Sequence, residues 1–198
     1  MKRKFDRVYQ FKITLKDIAP PIWRRIQVPD IYTFWDLHVA IQDALGWLDY
    51  HLHEFEMKSP SKGRKVRIGI PDEDGFDRSI YPGWKMRISD YFAMDNKKAR
   101  YLYDFGDGWE HNVVLEKILP RETGKQYPAC IDGKRACPPE DCSGAHGYEH
   151  LLEVIMDPSH AEYQELIEWL GDDFEPERFQ CEEVYFWDPQ QRWKIAFE

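Results

Sequence analysis

The chain has 198 residues, 42% hydrophobic, 15% aromatic and 32% charged, with a formal net charge of −9. That length and aromatic content allow a buried core without disulfides and fit one domain over residues 1–198, while no apolar run approaches the roughly 18 residues of a membrane-spanning helix. The acidic balance disfavours non-specific nucleic-acid binding, and four unevenly spaced cysteines do not form a secreted disulfide framework, so a reducing cytoplasm is expected.

The opening stretch "MKRKFDRVYQFKITL" is basic but has no apolar h-region, which argues against a signal peptide. Tyr9, Phe11, Ile13 and Leu15 alternate with Gln10, Lys12, Thr14 and Lys16, the period of a half-buried strand. After "APP" (19–21), Ile22, Arg24, Ile26 and Val28 alternate with Trp23, Arg25 and Gln27 and predict a second strand ending at Pro29. Phe34, Leu37, Ile41, Ala44, Leu45 and Leu48 then recur at helical spacing behind Thr33 and Asp36, an approximate capping box, with Gly46 near the helix end. "HLHEFEMK" (51–58) and "RKVRIGI" (64–70) read as strands, 71–85 as loop, and 86–92 fits neither period.

Tyr101, Tyr103 and Phe105 alternate and, with the run over 109–118, make a hairpin across "FGDG". A stretch rich in Pro, Gly and Cys (120–147) precedes two helices. The first carries the stripe Leu151, Leu152, Ile155 and Met156; the second carries Tyr163, Leu166, Ile167 and Leu170, behind a Ser159/Glu162 capping box and before Gly171. The tail reads as a short helix with an irregular or strand-like end. This order predicts an α+β fold: a mainly antiparallel sheet, one helix after the first two strands, and two or three helices in the C-terminal third.

Four segments carry candidate chemistry. In "YDFGDGWEH" (103–111), Asp104, Asp107, Glu110 and His111 offer hard oxygens and one imidazole to a divalent metal, or general acid–base groups. The same residues suit a tight turn plugged into the core by Trp109, and alternation sends Glu110 and His111 to opposite faces. The "DFG" is not a kinase element, since no Gly-rich loop or "HRD" accompanies it. His51 and His53 share one face of their predicted strand, a spacing for a shared metal or for a hydrogen-bonded buried pair. Cys130, Cys137 and Cys142, followed by His146 and His150, are zinc-type donors, with Cys181 as a fourth thiol. Their spacing lacks paired CxxC knuckles, so free structural thiols or a disulfide fit as well. Glu140 and Asp141 between them could cap the helix that follows.

Trp23, Arg24 and Arg25 are candidate binding residues with Trp109. The two arginines face opposite ways on a strand; one could pair with an acidic residue of the negative half, and phosphate contact is the alternative reading. Charge is split along the chain: residues 1–100 carry 19 Lys/Arg against 14 Asp/Glu, residues 101–198 carry 8 against 22, and "KGRKVR" (62–67) is the densest basic point.

Taken together and in order, "PPIWRRIQVP" (20–29), "LHVAIQDALGWLDYHLHEF" (37–55), "YDFGDGWEH" and "CPPEDCSGAHGYEHLLEV" (137–154) resemble the Ri-plasmid Orf-three-like family over about residues 8–187. Where the family pattern has two glycines, this chain has Ser143 then Gly144, and its tail "FQCEEVYF" matches only loosely. Some members are described as insertion-element passengers under a resolvase-like label, but no nucleophilic serine in a recombinase setting is present here. The resemblance implies a fold and a link to mobile elements, and leaves activity open. The first expectation is a non-catalytic module for a protein or nucleic-acid partner. The alternative is a metal-dependent hydrolase or nuclease built on Asp104, Asp107, Glu110 and His111.

Overall fold

The computed structural model describes residues 4–71, 79–171 and 174–198. Among these described residues eight strands form one sheet: β1 (Arg7–Leu15), β2 (Trp23–Pro29), β3 (His53–Lys58), β4 (Lys65–Gly69), β5 (Ile80–Pro82), β6 (Lys98–Tyr103), β7 (Trp109–Pro120) and β8 (Ala129–Lys134). Their order is β5-β4-β3-β6-β7-β1-β2-β8, and each neighbouring pair is antiparallel except β4 with β5. Alternation in β1 sends Tyr9, Phe11, Ile13 and Leu15 into the core.

The opposite face of the sheet is charged, and cross-strand pairs balance it. Arg25 reaches Glu116 (2.7 Å) and Asp132 (2.5 Å), Lys16 reaches Glu110 (2.7 Å), and Lys65 and Arg67 reach Glu56 and Glu54 (both 2.6 Å). Lys16 and Arg25 thereby pair with acids of the C-terminal half, which offsets part of the N-terminal basic excess.

Helix α1 (Phe34–Leu45) lies on the apolar face. Thr33 Oγ1 accepts from the Asp36 amide (3.2 Å), the Asp36 carboxylate accepts from the Thr33 amide (2.8 Å), and Gly46 ends the helix at φ +85°. Ten of its twelve residues are buried, more than one apolar stripe explains. The reason is a second cover from the chain's end. There α4 (Pro189–Phe197) crosses α1: Trp35 Nε1 donates to the Pro189 carbonyl (3.0 Å), Arg192 pairs with Asp43 (3.1 Å), and Trp193 packs edge-on against Trp35. The strand-like end expected for the tail is thus helical.

Two further α-helices among the described residues are α2 (Gly144–Ile155) and α3 (Tyr163–Leu170). In α2 the buried apolar positions are Tyr148, Leu151 and Val154, and Met156 stands 83% exposed beyond the helix end. The expected Ser159/Glu162 capping box is absent: Ser159 bonds the Asp157 carboxylate instead, and α3 starts without a side-chain cap. The unclassified 86–92 segment is a short 3-10 turn that buries Ile88 and Phe92, the latter against Phe11 and Phe34. Of the loop expected over 71–85, residues 72–78 lie outside the described set, and β5 with another 3-10 turn occupies the remainder.

Candidate functional site: a three-loop cluster at one end of the sheet

Three loops meet where β3, β6 and β7 converge: 46–52 after α1, 104–108 between β6 and β7, and 135–143 before α2. Glu140 ties them. Its carboxylate accepts from the Leu48 amide (2.7 Å) and from the Tyr103 hydroxyl, whose oxygen also accepts from the Tyr50 amide (3.1 Å). Burial and then the Glu140 carboxylate push the Tyr103 phenol well above its ordinary pKa, so it stays a proton donor. Trp47 Nε1 donates to the Pro138 carbonyl (2.8 Å), and the Asp104 amide donates to the Leu52 carbonyl (3.0 Å).

Backbone strain gathers in the same place. Asp49, Asp104, Asp141 and Ser143 all take left-handed φ (64°, 53°, 60° and 69°). At Asp104 a local bond offsets the cost, since its Oδ1 accepts from the Gly106 (2.9 Å) and Asp107 (3.3 Å) amides. Gly144 sits so close to loop 104–108 that a Cβ there would lie 2.4 Å from the Asp107 carbonyl oxygen.

Beneath the loops lies a layer of aromatic and imidazole rings. Trp47 stacks on Tyr103 (5.1 Å between centroids) and abuts Trp109 and His111. His38 and His53 stack face to face at 3.4 Å, 8° from parallel. His38 also bonds Tyr101 through Nδ1 (2.8 Å) and Asp49 through Nε2 (2.7 Å). Burial drives the pKa of His53 far down and that of His111 to about 4, so both rings are neutral.

The structure disperses several of the sequence candidates. Asp104 turns the loop, Glu110 pairs outward with Lys16 and Arg100, and His111 is buried on the other face with neither ring nitrogen hydrogen-bonded. Asp107 carries a buried carboxylate oxygen without a partner. Asp104, Glu110 and His111 therefore do not point into one cleft. His51 and His53 also part company: His53 opens β3 facing inward, while His51 stays in the loop with its Nε2 3.1 Å from Asp141 and 3.6 Å from Asp104.

Arg24 (1% exposed) and Trp109 (2%) lie inside the protein and present no surface to a ligand. Arg24 holds the Ala44 and Lys134 carbonyls and lies over Phe179; Arg25 is spent on its ion pairs; Trp23 is half-buried beside Lys12 and Arg25. The cysteines also separate. Cys130 faces Cys181 (3.8 Å), burial pushes the Cys130, Cys137 and Cys142 thiols up to about 12, and among the described residues no three thiols gather in a coordinating group. His146 and His150 are exposed on α2, the latter paired with Glu162.

Sequence reasoning missed His38 and Asp49. His38 follows Phe34 by four and precedes Ile41 by three, so it stands on the apolar stripe of α1. A polar residue on that stripe was the available signal. Asp49 had none, because a loop residue's target depends on the fold.

Comparison with known proteins places this arrangement among relatives. A family model described as plasmid pRiA4b ORF-3-like protein matches residues 7–183. The uncharacterized protein y4hQ of Sinorhizobium fredii is 37% identical over 164 residues, covering 83% of this chain and 81% of its own length. The crystal structure of a protein of unknown function, MM3350 from Methanosarcina mazei Go1, shares 51% identity at a TM-score of 0.87, over 92% of this chain and 100% of that one.

Proposed function

Because the chain belongs to the plasmid pRiA4b ORF-3-like family, we propose that it is a cytoplasmic, single-domain binding module whose three-loop end docks a protein partner. One observation carries this reading: Leu48, Tyr50, Leu52 and Phe105 are exposed on loops whose backbone is pinned from below. Apolar side chains held out on a rigid frame cost little ordering entropy when they are covered, which favours an interaction role. Beside them, Leu48, Pro138 and Trp169 line a groove of about 400 Å³.

Charge narrows the partner class. The three loops, 46–52, 104–108 and 135–143, contain Asp49, Asp104, Asp107, Glu140 and Asp141 against a single basic residue, Arg135, which is buried and paired with Glu177. Phosphate would be repelled there, so an apolar segment with basic flanks suits the surface better than a nucleic acid. Among the described residues no helix is long and apolar enough to cross a membrane.

A photo-crosslinking amino acid placed at Tyr50, in the cell that makes the protein, tests the reading. The expected result is one protein adduct that disappears when Leu52 and Phe105 are both changed to Asp. A control probe at Lys117, toward the far end of β7, should not give that adduct. No protein adduct from Tyr50, a nucleic-acid adduct, or the same adduct from Lys117 would overturn it.

A further inference from the structure

The three loops that form this end also bring three metal-ligating side chains together, one from each. His51 Nε2 lies 3.1 Å from Asp141 Oδ1 and 3.6 Å from Asp104 Oδ2. In a tetrahedral zinc site with bonds of about 2.0–2.1 Å, neighbouring ligand atoms stand about 3.3 Å apart. The two observed separations bracket that value.

Two further features favour a cation over an ordinary ion pair. His51 Nε2 is buried and has no hydrogen-bond partner, so its 3.1 Å approach to Asp141 is not an aligned hydrogen bond. Asp104 is held in orientation by the Gly106 and Asp107 amides on Oδ1, which leaves Oδ2 toward His51. Such outer contacts are what fix metal-binding carboxylates. Two carboxylates converging on one unbonded imidazole nitrogen leave negative charge that a cation would balance.

The other clusters fit a metal less well. His38, Asp49 and His53 also lie within reach of one another, but the two rings are parallel and 3.4 Å apart. An ion bound through an imidazole lone pair lies near that ring's plane, so one ion cannot serve both rings. Both His38 ring nitrogens are taken by Tyr101 and Asp49, and the stacked pair is a packed part of the core. The thiols gather in no coordinating group among the described residues.

We propose that His51 Nε2, Asp104 Oδ2 and Asp141 Oδ1 bind one zinc-class divalent cation. Its fourth position opens to solvent beside Asp141, whose side chain is 68% exposed. Three protein ligands with an open position allow the ion to take an exogenous ligand. This site does not depend on the docking reading, which is carried by the exposed apolar side chains; the two share only the acidic character of Asp104 and Asp141.

The test is a zinc titration of the untagged, metal-stripped full chain against a chromogenic chelator, with cobalt absorption as a report of coordination geometry. The expected result is one ion per chain and tetrahedral cobalt bands. Asp141→Asn should weaken binding at least about tenfold. Asn tolerates the left-handed backbone, so the metal-free variant should keep the wild-type melting temperature. His51→Gln is a second variant expected to lose the ion. Failure of the wild type to compete with the chelator, undiminished binding by Asp141→Asn, or loss of binding on Cys130→Ser or Cys137→Ser would each overturn the proposal.

Discussion

Glu140 shows how one side chain organises a loop cluster. It lies 37 residues from Tyr103 and 92 from Leu48, yet its two oxygens satisfy donors on both. The part-buried bond from Tyr103 carries most of the stabilisation, since solvent competes for the exposed one from Leu48. Its neighbour Ser143 is a site of strain. Its φ of +69° costs a non-glycine residue about 1 kcal/mol. Ser143→Gly should therefore stabilise the protein, by about 0.5 kcal/mol after the added freedom of the unfolded chain offsets part of the relief. Urea denaturation, with an unchanged slope and a higher midpoint, would show it.

At the scale of elements, α1 acts as the inner layer of a sandwich rather than as a surface helix. Its outer side is closed by aromatic rings from α4, since Trp193 contacts Trp35, Trp84 and Phe197 at centroid distances of 5.2, 4.9 and 4.3 Å. Trp193→Ala should destabilise the fold by about 2–3 kcal/mol and shift tryptophan emission to the red as Trp35 becomes wet. Thermal melts and fluorescence spectra of the variant would measure both. The cap of α1 was legible because a capping box is a local motif, read over four residues. The Ser159/Glu162 box failed for an equally local reason: Asp157 lies closer in sequence and takes the serine hydroxyl first.

For the molecule as a whole, buried imidazoles set the response to acid. His53 and His111 are neutral in the fold, and burial holds their pKa values below 6.5, that of His111 at about 4. The unfolded chain takes up these protons below about pH 6.5, so stability is full above that pH. It should fall as the pH drops toward 4, where folded His111 begins to protonate too. For His111 alone the loss is on the order of 3 kcal/mol. Urea midpoints measured from pH 7.5 to 4 should trace this decline, and His111→Phe should make it shallower, leaving the share that belongs to His53.

The antiparallel sheet, the place of α1, and the family could be read from the sequence, because period, caps and ordered motifs are properties of neighbouring residues. Opposite facing of Arg24 and Arg25, and of Glu110 and His111, followed from strand alternation alone. Alternation could not say how completely each face would be covered, and so Arg24 and Trp109 stood among the candidate binding residues although Trp109 also read as a core plug. That was decided when α1 and α4 covered one side of the sheet and cross-strand ion pairs occupied the other. The meeting of His51 with Asp104 and Asp141 was likewise hidden. It joins loops 53 and 37 residues apart, and only the packing of three strand ends brings them within 4 Å.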